Sequence, residues 1–518
     1  MRYVWLVFAL VLAACKPSSS PSSPQPLGEP LVKGRLSNLQ LLPGKTHVYF
    51  LADAQSPQQK ETASTLKLGK LYLLSLQTRK QVEIGKQVAN LPETQQASAD
   101  GKHLIFLEQF DLKTKTGNLH CADVAGAVVG NALGEGVGFF VVSPQNEVAF
   151  IERETLKLGP LPQGPFVAIA EGVANLEFSQ DGGTLAFKKR VEEGGQLWVV
   201  DLKEAEKKPR LLADNAGSYR LSKDGRKLVY AAKEASREVA YRLFLADTKK
   251  ASSPKQLSQE MFRFLLSPDD RWLAYIETKT PEKPGALWLR PLEGAGEAKM
   301  LGDRVRDFGF ASTGEALAWR EAYSGDEGLL ALVELKGDME PQRLAARTRH
   351  WQWNAQGRAL AYTATVTNPE VSVDLFFFRL GDKAPAKIHT WVYEYAFSVD
   401  GEKLLFEANC TREGRSCELL STQPGGGEVG AQKEKLADGV YSFKQSADGQ
   451  RIYWLHITPT APIQTQLWVT DISAPRPQKL ADHIHLPPPL AIDEAGKKFL
   501  YISNQPGHEG LYLTEWKP

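Results

Sequence analysis

One short pattern recurs along almost the whole chain and leaves little freedom in how it folds. In its clearest copy, Phe264 to Leu292, an apolar strand end runs into Ser267-Pro268-Asp269-Asp270. A second strand follows at Leu273-Ala274-Tyr275-Ile276 and a third at Leu287-Trp288-Leu289. The tetrapeptide has type I turn chemistry, with proline presetting φ at the second position and serine able to bond its own backbone. The turn-closing position recurs as Gly101, Gly182, Gly225, Asp270, Gly314, Gly357, Gly401, Gly449 and Gly496, in steps of 43 to 48 residues from Gly182 onward. The 81 residues from Gly101 to Gly182 hold two units, with a variant Ser143-Pro144 turn between them, and Pro43-Gly44 opens one more, making eleven. Three residues before the closing position stands Ser98, Ser179, Ser222, Ser267, Asn354, Ser398, Ser446 or Asp493, with Ala311 the exception.

The strand after each turn has its own signature, an apolar residue, any residue, then an aromatic. Val48/Phe50, Leu185/Phe187, Leu273/Tyr275, Leu360/Tyr362 and Ile452/Trp454 are examples. The following strand often adds another aromatic, as at Tyr72, Trp198, Phe244, Trp288, Phe376, Trp468 and Tyr512. A period of about 40–45 residues built from short strands marks an all-β propeller with one four-stranded sheet per repeat. The alternation and the turns exclude helical solenoids. Because the aromatic ladder recurs at one fixed place in each unit, it reads as core rather than as a sugar-stacking surface.

The pattern Ser-Pro-Asp-Gly, then Leu-Ala-aromatic, then Leu-Trp-Val-x-Asp-Leu resembles the TolB-type (WD40-like) propeller repeat. It is fullest at Ser179 to Leu202, Ser222 to Asp247, Ser267 to Leu292 and Ser446 to Ile472. The resemblance covers nearly all of residues 31–518 and implies a fold, not an activity. TolB proper carries an α/β domain ahead of its propeller; no helical pattern stands there in this chain, so TolB's partners are not carried over. Eleven blades exceed the usual four to eight of one propeller. Two adjoining propellers are therefore expected, with the break between about residues 215 and 300. The final repeat supplies three strands, ending at Leu511-Tyr512-Leu513-Thr514. Residues 31–36 have the pattern of the missing fourth and are expected to pair with 511–514, since an open edge invites aggregation.

The first 30 residues lie outside this pattern. Arg2 precedes a ten-residue apolar stretch, Tyr3 to Leu12, far shorter than the roughly 20 residues needed to cross a bilayer. Leu12-Ala13-Ala14-Cys15 then resembles a bacterial lipobox. That resemblance implies a signal peptide over 1–14, a Cys15 lipidated on sulfur as with palmitate, and membrane attachment through the acyl chains. Lys16, where aspartate would retain the protein at the inner membrane, points to the outer membrane. Residues 15–30 form a Ser/Pro-rich tether that has little apolar surface to pack.

The chemistry in the remainder is sparse. No Gly-x-Ser-x-Gly elbow, His-Glu-x-x-His motif or paired-cysteine zinc spacing occurs. His483 and His485 fall on one face of an extended stretch without a third ligand, so no metal and no cofactor is expected. A net charge of +1 removes the electrostatic case for a nucleic-acid partner. Glu177, Arg220 and Lys444, near the innermost strands, are of both signs, so the channel is not tuned to one ionic ligand. Cys410 and Cys417 bracket a polar hairpin loop and are expected to form a disulfide; Cys121 is expected to be buried and inert. The reading is a lipid-anchored envelope protein that binds other envelope proteins, with no catalytic residues. Its rivals are a propeller enzyme acting on polysaccharide, marked by a deep pocket with converging carboxylates or histidines, and a glycan or small-molecule binder, marked by exposed aromatics at the channel mouth.

Overall fold

The computed structural model describes residues 29–516, apart from 56–66, 192–194, 205, 234–240, 251, 279–282, 295, 325–326, 366–372, 412–415, 425–431, 459–463, 485–489, 492–495, 504 and 506. The signal-peptide and lipidation readings, with Cys15, lie outside the described residues. So does His485. The described chain is all-β: antiparallel strands in sheets of four to eight, with one 3₁₀ turn at Pro92–Thr94.

Eleven units follow one another. Unit 1 comprises Leu36–Leu41, His47–Gln55, Leu68–Ser75 and Gln81–Ala89, paired in that order. Unit 2 begins at Gln95, unit 3 at Gly134, unit 4 at Val173 and unit 5 at Ala216; unit 7 begins at Asp307, unit 9 at Val392, unit 10 at Ser442 and unit 11 at Leu490. Units 5 and 6 share one strand, Lys255–Leu266, and units 7 and 8 share Gln342–Trp353. Gly134–Val142 likewise joins units 2 and 3, and in each shared strand the first half closes one unit and the second half opens the next. This is why the four-stranded repeats merge into larger sheets.

The repeated turn explains itself at atomic level. In unit 5 the Ser222 hydroxyl donates to Asp224 at 2.7 Å and accepts from the Lys227 N–H at 2.9 Å, while Asp224 accepts from the Arg226 N–H. The same arrangement is built on Ser98, Ser179, Ser267, Ser398 and Ser446. In unit 8 Asn354 replaces the serine and its amide oxygen accepts from Arg358 and Ala359. Gly225 closes its turn at φ +68, and a Cβ there would lie 2.4 Å from Thr184 Oγ1 of unit 4. Glycine is thus required both by the left-handed backbone and by the close approach of the preceding turn. Asp270 takes the same left-handed conformation in unit 6, and its carboxylate accepts from the Lys223 N–H of unit 5.

The aromatic ladder is buried. Phe50, Phe106, Phe150, Phe187, Trp319, Tyr362, Phe406 and Phe499 are each 0% exposed. Cross-strand partners stack on several of them or their equivalents, with ring centroids 5.6 Å apart at Phe50–Tyr72, 5.2 Å at Tyr230–Phe244 and 5.2 Å at Tyr362–Phe376. Each core cluster spans at least two neighbouring units. Leu71 and Leu73 of unit 1 pack with Leu104 and Phe106 of unit 2, and Val229 and Leu243 of unit 5 with Leu273 and Tyr275 of unit 6. Packing is continuous between residues 215 and 300, where a break was expected: Ala274 and Leu287 of unit 6 go on to share a cluster with Leu317 and Trp319 of unit 7. The eleventh cluster joins Val32, Leu500 and Leu511 to Val48, Phe50 and Leu74, so unit 11 lies on unit 1. Val32–Lys33 pairs antiparallel with Leu511 and Gly510 and completes the last sheet. The N-terminal strand therefore engages the last strand of the chain, centred slightly earlier than 511–514.

Candidate functional site

The first strands of neighbouring units lie side by side. Asn38 of unit 1 donates to Gln95 of unit 2 at 2.6 Å, the Val142 N–H of unit 3 to Gln96 at 3.1 Å, and Tyr219 of unit 5 to Asn175 of unit 4 at 2.8 Å. Further on, Trp353 of unit 8 donates to the Gly309 carbonyl of unit 7, and Gln445 of unit 10 to the Phe397 carbonyl of unit 9. These strands converge, so they form the inner side of the arrangement. The inner strands carry both charge signs, as the spacing of Glu177 and Arg220 indicates: their side chains approach to 3.6 Å.

A β-bulge recurs on several inner strands. In unit 9 Val392 pairs with Ala408 and Tyr395 with Phe406, so Tyr393 and Glu394 together face Glu407. In unit 6 the pairing skips Phe262, in unit 8 Arg349, in unit 3 Gly138 and in unit 4 Ala174. A bulge re-aims the extra side chain out of the ladder. All of these residues stand five positions before the residue that opens the turn, and Tyr441 of unit 10 shares that position. Units 3 and 4 place small residues there; units 6, 8, 9 and 10 place large ones. Tyr393 is 68% exposed, Phe262 42% and Tyr441 37%, with Trp391 just before the inner strand of unit 9 at 56%. The result is a one-sided arc of aromatic and arginine side chains.

The carboxylates behind this arc differ in their partners. In unit 7, Asp307 and Arg320 are cross-strand neighbours joined through Nε at 3.1 Å. Where unit 7 meets unit 8, Glu327 of unit 7 accepts from Arg347 at 2.8 Å, Arg349 at 3.0 Å and the Thr365 hydroxyl at 3.0 Å. Burial pushes the Glu327 carboxyl up, but the two guanidinium groups and the hydroxyl outweigh it and hold it below the usual range. Unit 9 has the opposite arrangement. Glu407 is 0% exposed, and among the described residues neither carboxyl oxygen has a hydrogen-bond partner. Burial first, and Glu394 second, push it up to about 8. Partial desolvation raises Glu394 as well, although solvent still reaches it. Nine residues after the turn opens, the position of Glu407, other units carry Leu51, Leu107, Ala231, Ile276 and Leu455, or the polar Glu152, Lys188, Arg320 and Thr363.

The cysteines fall where their spacing indicates. Cys410 and Cys417 form a disulfide at the end of a hairpin in unit 9. Cys121 is buried without a partner, and desolvation, with Asp123 adding to it, pushes its thiol up to about 12, so it is not a reactive thiolate. His483 adopts a left-handed backbone. Among the described residues no group of three or more His, Cys, Asp or Glu is placed to hold a metal ion. The bulge arc and the buried acid are features that reading the repeats for their common pattern did not single out.

No protein-family model matches the chain, and no curated protein does. Among solved structures, a eukaryotic initiation factor is similar at 14% identity over 70% of this chain and 94% of that one, with a TM-score of 0.37. The tricorn protease is similar at 12% identity over 94% of this chain and 59% of that one, with a TM-score of 0.29. TolB from Acinetobacter baumannii is similar at 15% identity over 57% of this chain and 79% of that one, with a TM-score of 0.26. At these TM-scores none of the likenesses carries an argument about activity.

Proposed function

We propose that the chain is a lipid-anchored protein of the bacterial envelope whose eleven units form a single propeller ring and serve as a protein-binding scaffold. One ring, rather than two adjoining propellers, accords with packing that passes from each unit to the next and from the eleventh to the first. The anchor rests on the lipobox at Leu12 to Cys15 and the tether that follows it; the outer membrane rests on Lys16. The partners are other envelope proteins, the membrane is met through the lipid, and nucleic acid has no basic face to engage.

The observation that carries the binding role is the arc of Phe262, Arg349, Trp391, Tyr393 and Tyr441. Exposed aromatics and arginines are the composition of binding hot spots, where a few large side chains carry most of the energy. The test is photocrosslinking in cells from Tyr393 and, as a control, from Val167 on an outer strand. A discrete crosslinked protein from position 393 only is expected; identical patterns from both would overturn the assignment of this face.

A second reading, a glycan-binding module, is favoured by the same exposed aromatics, which can stack on sugar rings. Retention on immobilised peptidoglycan that is lost in Trp391→Ala and Tyr393→Ala would select it over the protein-binding role. Catalysis on polysaccharide is a weaker reading. Glu394 and Glu407 are converging carboxyls, but Glu407 is wholly buried and out of a substrate's reach.

A further inference from the structure

We propose that the seam between units 9 and 10 receives a positively charged side chain from a partner protein, a lysine ammonium or an arginine guanidinium, held by the exposed Glu394 in front of the buried Glu407 and flanked by Trp391, Tyr393 and Tyr441. This rests on the protein-binding role above and names the chemistry of the partner at that site.

Strand alternation places Glu407 on the same side as Leu405, which packs against Phe443 and Trp454 of unit 10. Its counterparts Leu51, Leu107, Ala231, Ile276 and Leu455 are apolar and fill the equivalent seam, whereas the acid at this position in unit 3, Glu152, is paired with Lys157. An acid there leaves water without acquiring a partner, which is destabilising unless something else is gained. Trp454 Nε1, in the same seam, is also buried without a hydrogen-bond partner. Asp374 gives the contrast: it too is buried, but Lys387 lies 2.8 Å away. Unit 7 shows what completes such a pair, because at the equivalent positions Asp307 faces Arg320. In unit 9 the arginine is replaced by a second acid, so the pair lacks its cation among the described residues.

The approach to the pair is shaped for that cation. The bulge sets Glu394 and Tyr393 together opposite Glu407. Exposed aromatic faces attract ammonium and guanidinium groups through the ring quadrupole. The charged and titratable groups facing the seam are Glu394 and Glu407 from unit 9, with Tyr441 and His456 from unit 10, while alternation turns Lys444 away from the side of Phe443. His456 Nδ1 is 2.6 Å from the Gly439 carbonyl. A cation entering at pH 7 would displace the Glu407 proton, so binding should release protons and tighten with pH up to about 8.

The experiment uses the full chain in neutral detergent and a fluorescein-labelled octa-lysine peptide, read by anisotropy and by calorimetry in buffers of different ionisation enthalpy. Wild-type protein should bind with proton release, and Glu394→Gln and Glu407→Gln should each weaken binding about tenfold or more. Glu407→Gln should also abolish the proton release, and His456→Gln separates any histidine contribution. Tyr393→Ala should weaken binding while preserving proton release. Equal binding of octa-glutamate, unchanged affinity in both glutamine variants, or an equal loss in the remote exposed variant Glu171→Gln would overturn the proposal. So would loss of stability in Arg412→Gln/Arg415→Gln that Glu407→Gln relieves, because the acid would then pair with the chain's own loop. Photocrosslinking from Tyr393 tests the binding role separately, so a protein partner without a basic segment would sink this inference and leave that role standing.

Discussion

The carboxyl of Glu407 has a pKa of about 8 in the fold against about 4.3 in an unfolded chain. Below about pH 4.3 it is protonated in both states and exerts no pH-dependent effect. Between there and about 8 only the unfolded chain gives up the proton, so stability falls by up to about 1.4 kcal/mol per pH unit and then levels. Glu407→Gln should therefore raise the urea midpoint at pH 8 and leave it nearly unchanged at pH 4; equal midpoints at both would show that the carboxyl is not desolvated. The turn aspartates act in the opposite direction. Burial pushes Asp181 up, but Lys203, the Ser179 hydroxyl and the Gly183 N–H outweigh it and bring it to about 2. Its contribution is present above about pH 3.9, the unfolded value, and is lost as pH falls toward 2. Asp181→Asn should flatten that acid limb in a circular-dichroism titration between pH 4 and 2. The serine partners are as regular. Ser222→Ala removes a donor to Asp224 and an acceptor for Lys227 and should lower stability by about 1–2 kcal/mol in denaturant titration.

Turns, bulges and edges divide the work among the elements. The Ser-x-Asp-Gly turn was readable because its function is local: serine, aspartate and glycine satisfy one another within six residues. The bulges were not, because a bulge is a mismatch between two strands and neither strand alone records it. Glu407 had only a partial local signal, an acid in a column that is apolar in six units but also holds Glu152, Lys188, Arg320 and Thr363. Reading the repeats for their common pattern passes over such a departure. The N-terminal strand tests the edge argument. Val32 is 6% exposed and packs with Val48, Phe50, Leu500 and Leu511, so Val32→Asp buries an unpaired charge and should reduce stability by about 2–4 kcal/mol. Thermal unfolding of this variant beside Lys33→Asp, whose side chain is exposed, separates closure from a mere change of charge. The Cys410–Cys417 disulfide closes a short loop within one hairpin, so reduction should cost roughly 2–3 kcal/mol. Proteolysis should then begin near that hairpin with the remaining units intact.

A single ring of eleven units should appear in negative-stain images as one annulus, and two propellers would give paired smaller rings. Membrane attachment is a separate property of the whole chain. Cys15→Ser should shift the protein from the membrane to the soluble fraction and remove the acyl mass from its N-terminus; unchanged partitioning would sink the lipoprotein reading. Repeat number, strand type, turn chemistry and the burial of the aromatic ladder were all determined by the sequence alone. Each depends on contacts within about 45 residues, and hydrophobic period and turn preference report such contacts directly. Tertiary structure decided how the units meet, as where unit 6 packs on unit 7, because seams between repeats lie outside any local pattern. It also decided which exposed residues share one arc and that Glu407 has no partner among the described residues, since both follow from how separate units meet. The physical difference is reach: propensity acts over a few residues, whereas desolvation is set by everything packed around a group.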